Sequence, residues 1–399
     1  MFRATDWFTE EEVVSVARDM IRIPSDWNEP LREKCVLDYI CAFFDRHGIE
    51  YRRQPIDENR YNIIAAYKGK GGGKTLLLNG HVDTVPAYEM EFPPFEGFLS
   101  DGYLHGRGAV DMKGAVAAMM MSLVVCKRAN LPLAGDLIVT AVVGEEGKSE
   151  GTEALVLEGL KADGAIVGEP SNFDYAIGHR GLEWIELTVY GKIAHSGVAE
   201  KGINAISHAA RLIQALEREV ISKLKERTNP YTGPSILNFG RIEGGTQPST
   251  VADSCKIQID RRYVPEETVE QVIGEIQAVI DKLSAEDPQF QAKLTLMPEN
   301  VMNRLHHVPM LTDPDHEIVT TLAGVVEEVT GRKPEVSTKR GWTDGGLLSH
   351  YLGIPTVICG PGDISYSHSK NERIAVAQLV QAVEIYVQTA MRFCGLSQL

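Results

Sequence analysis

The sequence predicts an α/β protein in which a mostly parallel sheet is flanked by helices and interrupted by an inserted α+β domain. Two observations support this prediction. Short apolar strands alternate with helices over residues 1–179 and again over residues 299–399, which is the order of a parallel sheet. Between them, residues 180–298 follow the order β-α-β-β-α-β, which is that of a ferredoxin-like domain. The first domain is therefore expected to be discontinuous.

The individual elements follow from hydrophobic periodicity, since helices repeat every 3.6 residues and half-buried strands every two. In residues 1–179 this predicts helices over 9–20, 31–47, 112–129 and 151–160, and strands over 62–67, 75–78, 136–143 and 165–167. In residues 180–298 it predicts strands near 185–189, 235–242, 254–261 and 290–296, and helices over 203–224 and 266–283. In residues 299–399 it predicts helices over 313–329 and 374–393 around a strand at 356–359.

Composition excludes some classes of partner. The chain has 399 residues with 40 Lys and Arg against 55 Asp and Glu, a formal net charge of −15. This balance argues against nucleic acid or an anionic membrane surface, since both need a basic face. Six cysteines without a CxxC pair indicate reduced thiols. Because no signal sequence and no apolar run of about 20 residues is apparent, we expect a cytoplasmic protein without a membrane partner.

Five segments rich in acidic residues and histidine fall where the predicted strands end or helices begin. They are NGHVDTVP, HGRGAVDMKG, GEEGKSEG, GEPSN and YSHSKNE. In an open α/β sheet, ligands bind at the carboxyl ends of the strands. The sequence therefore predicts that these segments meet at one site.

The residues of these segments fit metal binding, although each has a simpler alternative. His81 and Asp83 are two residues apart and point the same way in an extended chain, so that Asp83 could hold the His81 ring. Asp111 is either a helix N-cap or a carboxylate that bridges two metals. Adjacent Glu145 and Glu146 point in different directions, so one could bind metal and the other face substrate, unless both are solvated loop residues.

The predicted ligand set has mixed nitrogen and oxygen donors and no cysteine, which suits two catalytic zinc or cobalt ions. Other hydrolase and nucleotide motifs are missing from the sequence: there is no HExxH, no GxSxG and no dinucleotide fingerprint. The set is His81, Asp111, Glu146, Glu169 and His368.

Taken together, these motifs and the segment AHSG resemble the M20 metallopeptidase family, in particular its acetylornithine deacetylase and succinyl-diaminopimelate desuccinylase group. The resemblance implies a zinc-peptidase-like fold in which the inserted domain is a lid and the surface of a homodimer. It implies that His81 and Glu169 hold one metal, that Glu146 and His368 hold the other, and that Asp111 bridges them. It further implies that Glu145 is the general base, that Asp83 orients His81, and that the Asp111–Met112 peptide bond is cis.

The resemblance also implies substrate contacts. His195 corresponds to a lid histidine that stabilises the oxyanion, often across a dimer interface. Arg261 corresponds to a lid arginine that binds a substrate carboxylate, unless it is a solvated charge. Asp344 and Gly345 correspond to a substrate-binding motif, although Gly346 follows where desuccinylases tend to carry Arg. Ser249 and Ala252 also depart from the family's usual Asn and Pro.

These expectations point to hydrolysis of the amide bond of an N-acyl amino acid, which gives a carboxylate and a free amino acid. A metal-dependent carboxypeptidase or dipeptidase is the alternative, because peptide substrates also end in a free carboxylate. A non-catalytic metal-binding regulatory protein is an alternative of another class. The presence of Glu145 argues against it, since an inactive relative would more often lack the base.

Overall fold

The computed structural model describes residues Phe2–Lys339 and Gly341–Ser397. The α-helices, in chain order, are α1 (Glu10–Ile21), α2 (Lys34–His47), α3 (Gly114–Arg128), α4 (Glu150–Glu158), α5 (Ala205–Leu216), α6 (Ser222–Leu224), α7 (Val269–Glu286), α8 (Glu317–Thr330), α9 (Gly345–Leu352) and α10 (Val376–Phe393). The strands are β1 (Glu50–Pro55), β2 (Tyr61–Tyr67), β3 (Leu76–His81), β4 (Phe98–Ser100), β5 (Tyr103–His105), β6 (Leu137–Val142), β7 (Gly164–Val167), β8 (Gly178–His179), β9 (Gly181–Tyr190), β10 (Ala194–His195), β11 (Thr228–Asn229), β12 (Gly233–Pro234), β13 (Ile236–Gly244), β14 (Thr250–Val251), β15 (Ser254–Tyr263), β16 (Gln291–Leu296), β17 (Met310–Leu311), β18 (Thr356–Ile358) and β19 (Arg373–Ala375).

The chain divides into two compact units. The first unit contains residues 1–178, 310–337 and 343–399, and the second contains residues 179–309 and 338–342. The expected insertion, 180–298, falls inside the second unit, which extends further than expected. The added segments belong there because the backbone of Leu182 pairs with that of His307, and the Trp342 indole donates to the Val308 carbonyl at 2.9 Å. Such isolated contacts have no periodicity that a sequence could reveal.

A six-stranded sheet forms the centre of the first unit, in the order β1-β2-β6-β3-β7-β18. Strands β6, β3, β7 and β18 run parallel, while β1 and β2 are antiparallel additions at one edge. Every residue of β3 and β7 is buried, as expected for parallel strands covered on both faces. This confirms the predicted α/β class. Strand β1 was not predicted, because its sequence EYRRQP is polar and mostly exposed at the edge.

Helix α3 is the buried core helix of this unit. A kinked turn, Ala109–Lys113, leads into it, and α3 is buried from Gly114 to Cys126. Contrary to the sequence-based expectation, the segment Ala109–Arg128 is long and apolar enough to cross a membrane by length and composition alone. Its most apolar window lies entirely inside the protein, which is the pattern of a core helix.

The second unit has a four-stranded antiparallel sheet in the order β13-β15-β9-β16. Numbered by position in the unit, these are strands 2-3-1-4, the order of a ferredoxin-like sheet. The alternating residues Ile185, Leu187 and Val189 of β9 pack with the buried faces of α5 and α7 in one core. The inserted α+β fold is therefore as predicted.

Candidate dinuclear metal site

Four parallel strands bring the predicted residues to one edge of the first unit's sheet. His81 is the last residue of β3, Glu145 and Glu146 follow β6, and Glu169 follows β7. His368 lies in the loop after β18. Because the carboxyl ends of parallel strands share one edge, residues nearly 290 positions apart become neighbours.

Asp111 lies between the two histidines. Its Oδ1 is 3.2 Å from His81 Nε2, and its Oδ2 is 3.3 Å from His368 Nε2. Each oxygen therefore faces a different histidine, as a bridging carboxylate requires. The alternative that Asp111 caps a helix is wrong, since α3 begins only at Gly114, with Lys113 before it. The Asp111–Met112 peptide bond is cis, as the resemblance implied.

Two glutamates complete the cluster. Glu169 Oε1 is 3.5 Å from His81 Nε2, and Glu146 Oε1 is 2.9 Å from His368 Nε2. Donor atoms of His81, Asp111 and Glu146 lie within 4.8 Å of one another, and so do those of His81, Glu145 and Glu169. The structure thus places one carboxylate beside each histidine, with Asp111 between the two pairs.

Asp83 organises this cluster in a different way from the one expected. The His81 Nδ1 atom is 3.0 Å from the Asp83 backbone carbonyl and 3.5 Å from its carboxylate. The Asp83 carboxylate instead accepts the backbone N–H groups of Glu145 at 3.2 Å and Glu146 at 2.9 Å. Asp83 therefore orients the His81 ring through its backbone, and its side chain fixes the turn that carries both glutamates.

The electrostatics of the cluster favour a bound cation. Burial by itself lowers the pKa of His81, but hydrogen bonds with Asp111 and Asp83 outweigh it and raise that pKa well above its ordinary value. Burial raises the pKa of Glu145 well above its usual range, and the neighbouring Glu169 raises it further. Burial, followed by the charge of Asp111, also raises the pKa of Glu146. Carboxylates crowded in this way are costly unless positive charge compensates them.

The donor set fits divalent transition metals. Imidazole nitrogens and carboxylate oxygens, without thiolates, are the ligands of catalytic rather than closed structural zinc sites. Hydrogen bonds to Asp83 already hold the His81 ring and the Glu145–Glu146 turn, as metal ligands require. This edge of the sheet is therefore a candidate metal site.

Asp344 and Gly345, the expected substrate-binding residues, lie in a buried part of the first unit. Asp344 is 2% exposed, and its Oδ2 accepts the Thr152 hydroxyl at 2.8 Å. Gly345 is buried where a Cβ would lie 2.7 Å from the sulfur of Met310. Both belong to the packed start of α9, and their role in substrate binding stays a prediction. Burial raises the pKa of the Asp344 carboxyl to about 7.

Arg261 is also placed differently from expectation. Its side chain is completely buried, and its Nη2 lies 2.7 Å from Glu267 and 2.9 Å from Glu275. Along β15 it continues the inward face of Cys255, Ile257 and Ile259. The next residue, Arg262, is on the opposite face, 23% exposed and 2.8 Å from Asp260. Arg261 is therefore a core ion-pair residue, and the two-residue period of the strand could have indicated Arg262 instead.

His195 lies on the surface of the second unit. It ends β10, which pairs with β14 so that His195 is opposite Thr250 of the GGTQPSTVAD segment. Its Nδ1 accepts the Gly197 N–H at 3.0 Å, which leaves Nε2 as the ring atom that can donate a proton. The catalytic role of His195 remains a prediction.

Comparison with known proteins identifies the family. The sequence model of peptidase family M20/M25/M40 matches residues 77–392. The chain belongs to this family. The N-formyl-4-amino-5-aminomethyl-2-methylpyrimidine deformylase of Bacillus subtilis is 30% identical over 97% of this chain and 95% of its own length.

Two further comparisons agree with this assignment. The acetylornithine deacetylase of Myxococcus xanthus is 29% identical over 90% of this chain and 92% of its own length. The crystal structure of aminopeptidase PepT from Bacillus cereus, 23% identical, covers 98% of this chain and 100% of its own with a TM-score of 0.78, and shows the same fold. The predictions of an M20 fold and of a hydrolase that acts on amide bonds are confirmed.

Proposed function

We propose that this member of the M20 family is a di-metal amidohydrolase that cleaves the amide bond of an N-acyl amino acid. One observation carries the proposal: the two oxygens of Asp111 face His81 and His368 separately, each beside a further glutamate. Glu145 lies at the edge of this arrangement with Oε2 3.9 Å from His81 Nε2. This arrangement supports the proposal of a ligand set for two ions with an acid–base residue next to it.

The proposed cofactors are two divalent ions, with zinc as the first choice and cobalt as the second. His81 and Glu169 would hold one ion, Glu146 and His368 the other, and Asp111 would bridge them. When bound, the ions supply an activated water and polarise the amide carbonyl.

Glu145 is the proposed general base. Its backbone N–H is fixed by Asp83, and burial raises the pKa of its carboxyl above the ordinary value, which makes the carboxylate a stronger proton acceptor. It takes a proton from the attacking water and returns it to the leaving amine. The released products are a carboxylate and a free amino acid.

The second unit supplies the proposed substrate contacts. His195 would donate from Nε2 to the oxyanion. Arg262 replaces Arg261 as the proposed partner of the substrate carboxylate, because it is the arginine of β15 that reaches the exposed face.

We also propose a homodimer formed through this unit in the cytoplasm, where the six free cysteines would remain reduced. A monomer in sedimentation velocity at micromolar concentration would contradict the dimer.

The substrate class is tested by amine release from a panel supplied with Zn(II) or Co(II). The panel holds N-acetyl, N-formyl and N-succinyl amino acids, an N-formyl aminomethylpyrimidine, and dipeptides. The Glu145→Gln variant serves as the blank. We expect turnover to concentrate on the acyl amino acids.

Each other outcome changes the proposal in a defined way. Turnover of dipeptides alone would make the chain a carboxypeptidase or dipeptidase. Turnover of the pyrimidine alone would place it with its deformylase relatives and remove the role given to Arg262. If no panel member is cleaved while two ions are bound, the catalytic proposal fails for these substrate classes.

A further inference from the structure

A buried ion pair connects the two segments that carry Asp111 and His368. Arg107 and Glu372 are 265 positions apart, and their side chains are 1% and 0% exposed. An Arg107 Nη1–H donates to one carboxylate oxygen of Glu372. Neither residue belongs to the proposed ligand set.

The other oxygen of Glu372 supports the turn that contains Asp111. Its Oε1 accepts the backbone N–H groups of Val110 at 3.1 Å and Asp111 at 3.2 Å. The turn is not helical at Asp111, where φ is −125° and ψ is 97°. The Glu372 carboxylate thus satisfies two buried amides with a charge-assisted acceptor and fixes the direction of the peptide just before the Asp111 side chain.

The backbone around Glu372 is joined to the same region. The Gly106 N–H donates to the Glu372 carbonyl at 3.2 Å, and Arg373 pairs with His105 in the ladder between β19 and β5. His368 is four residues earlier in the same loop, and its own backbone is left-handed, with φ at 58°. Glu372 therefore joins the loop of His368 to the segment of Asp111 in two ways, through its backbone carbonyl and through its carboxylate. The position of His368 relative to Asp111 depends on both contacts.

Stability alone is a poor explanation for this pair. Buried ion pairs are often no more stabilising than apolar replacements. Here Arg107 Nε and Nη2 have no hydrogen-bond partner within the described part of the chain, so the guanidinium is only partly satisfied. The position of Arg107 is better explained by its partner Glu372, whose carboxylate accepts the backbone N–H groups of Val110 and Asp111.

We propose that Glu372 is a positioning residue for the metal site, which sets Asp111 against His368 and is itself held by Arg107. This inference rests on the proposed function, because it assumes that Asp111 and His368 bind metal. Glu372 acts only through the backbone amides of the turn and contacts no substrate. Residues that hold metal ligands in place typically change metal affinity by about 10–100-fold when they are altered.

The test compares Glu372→Gln with a matched control, Glu328→Gln. Glu328 also pairs with an arginine, Arg392, at 2.8 Å, but on the exposed surface of α8 in the same unit. In the Glu372 variant, the amide NH2 group must face either the Arg107 guanidinium or the two backbone N–H groups, so donors oppose donors. Metal-free proteins are titrated with Zn(II) against a chromophoric chelator, and the Co(II)-loaded proteins are compared by visible absorption.

We expect Glu372→Gln to weaken binding of at least one ion by about 10–100-fold and to alter the Co(II) spectrum, with an unchanged far-UV circular dichroism spectrum. Glu328→Gln should match the unaltered protein. A Glu372→Gln variant with affinities within twofold of the unaltered protein and the same Co(II) spectrum would overturn the inference, even if its melting temperature falls.

Three further outcomes are distinguished. If the unaltered protein binds no metal, the proposed function fails first, independently of Glu372. If Glu372→Gln does not fold, Glu372→Asp takes its place, because it keeps the charge but is too short to reach Arg107 and both amides together. If neither variant folds, Glu372 is a folding determinant and the positioning role is rejected.

Discussion

Replacement of Glu145 by Gln should separate catalysis from metal binding. The substitution keeps the size of the side chain, and it leaves in place the backbone N–H that Asp83 holds. It removes the base while the five proposed ligands remain. Loss of a general base costs about 10²–10⁴ in rate. Because the Glu145 side chain is only 11% exposed, bulk water cannot easily replace it, and we expect the upper half of that range, about 4–5.5 kcal/mol of activation free energy.

The same variant should not destabilise the metal-free protein. Burial, and then Glu169, raise the pKa of Glu145 in the folded state above its ordinary value. The folded state therefore binds this proton more tightly than the unfolded state does. The stability associated with this proton is complete at pH values below the unfolded pKa and is lost as the pH rises through the folded pKa. At pH 8 a neutral Gln avoids this loss, so the melting temperature of the metal-free variant should equal or exceed that of the unaltered protein.

The assay measures kcat on the best acyl amino acid with metal content determined in the same samples. Two bound ions with kcat reduced by about 10³–10⁴-fold would support the assignment of Glu145. A kcat within tenfold of the unaltered enzyme at equal metal content would refute it. Loss of an ion would instead make Glu145 a ligand.

Two further predictions concern the second unit. Arg261→Met removes a buried partner of Glu267 and Glu275 and should lower the free energy of unfolding by about 3–5 kcal/mol, measured with denaturant. Arg262→Ala should leave this stability nearly unchanged and should lower kcat/KM for carboxylated substrates. The reverse pattern would restore Arg261 as the substrate residue. Burial lowers the pKa of His307, which packs against Trp342 with ring centroids 4.6 Å apart, to about 3. His307 therefore becomes protonated near pH 6.5 in the unfolded state, whereas in the folded state it stays neutral down to much lower pH. As the pH falls from 7 to 5, this difference should lower the free energy of unfolding by about 2 kcal/mol. Denaturant unfolding of His307→Gln at both pH values should lack that loss, and an equal loss in both proteins would contradict the burial effect.

The sequence was sufficient to propose the site because the candidate residues follow strong local patterns. His81, Glu146 and Glu169 each follow an apolar strand, and parallel strands necessarily bring such ends together. The α/β order and the inserted ferredoxin-like unit were likewise predicted from periodicity, since burial of one face imposes it.

Only the tertiary structure decided which partners the other buried charged residues contact. The two-residue period of β15 puts Arg261 and Arg262 on opposite faces, but only the packing of β15 with α7 in one core supplies Glu275 as the partner of Arg261. Asp344 was buried by the packing of α9 against α4, a contact between elements far apart in the chain. Glu372 was not predicted from the sequence because its carboxylate accepts hydrogen bonds from backbone amides 261 and 262 positions away. Local sequence determines which faces an element presents, whereas the partner of a buried charge is fixed only when distant segments meet.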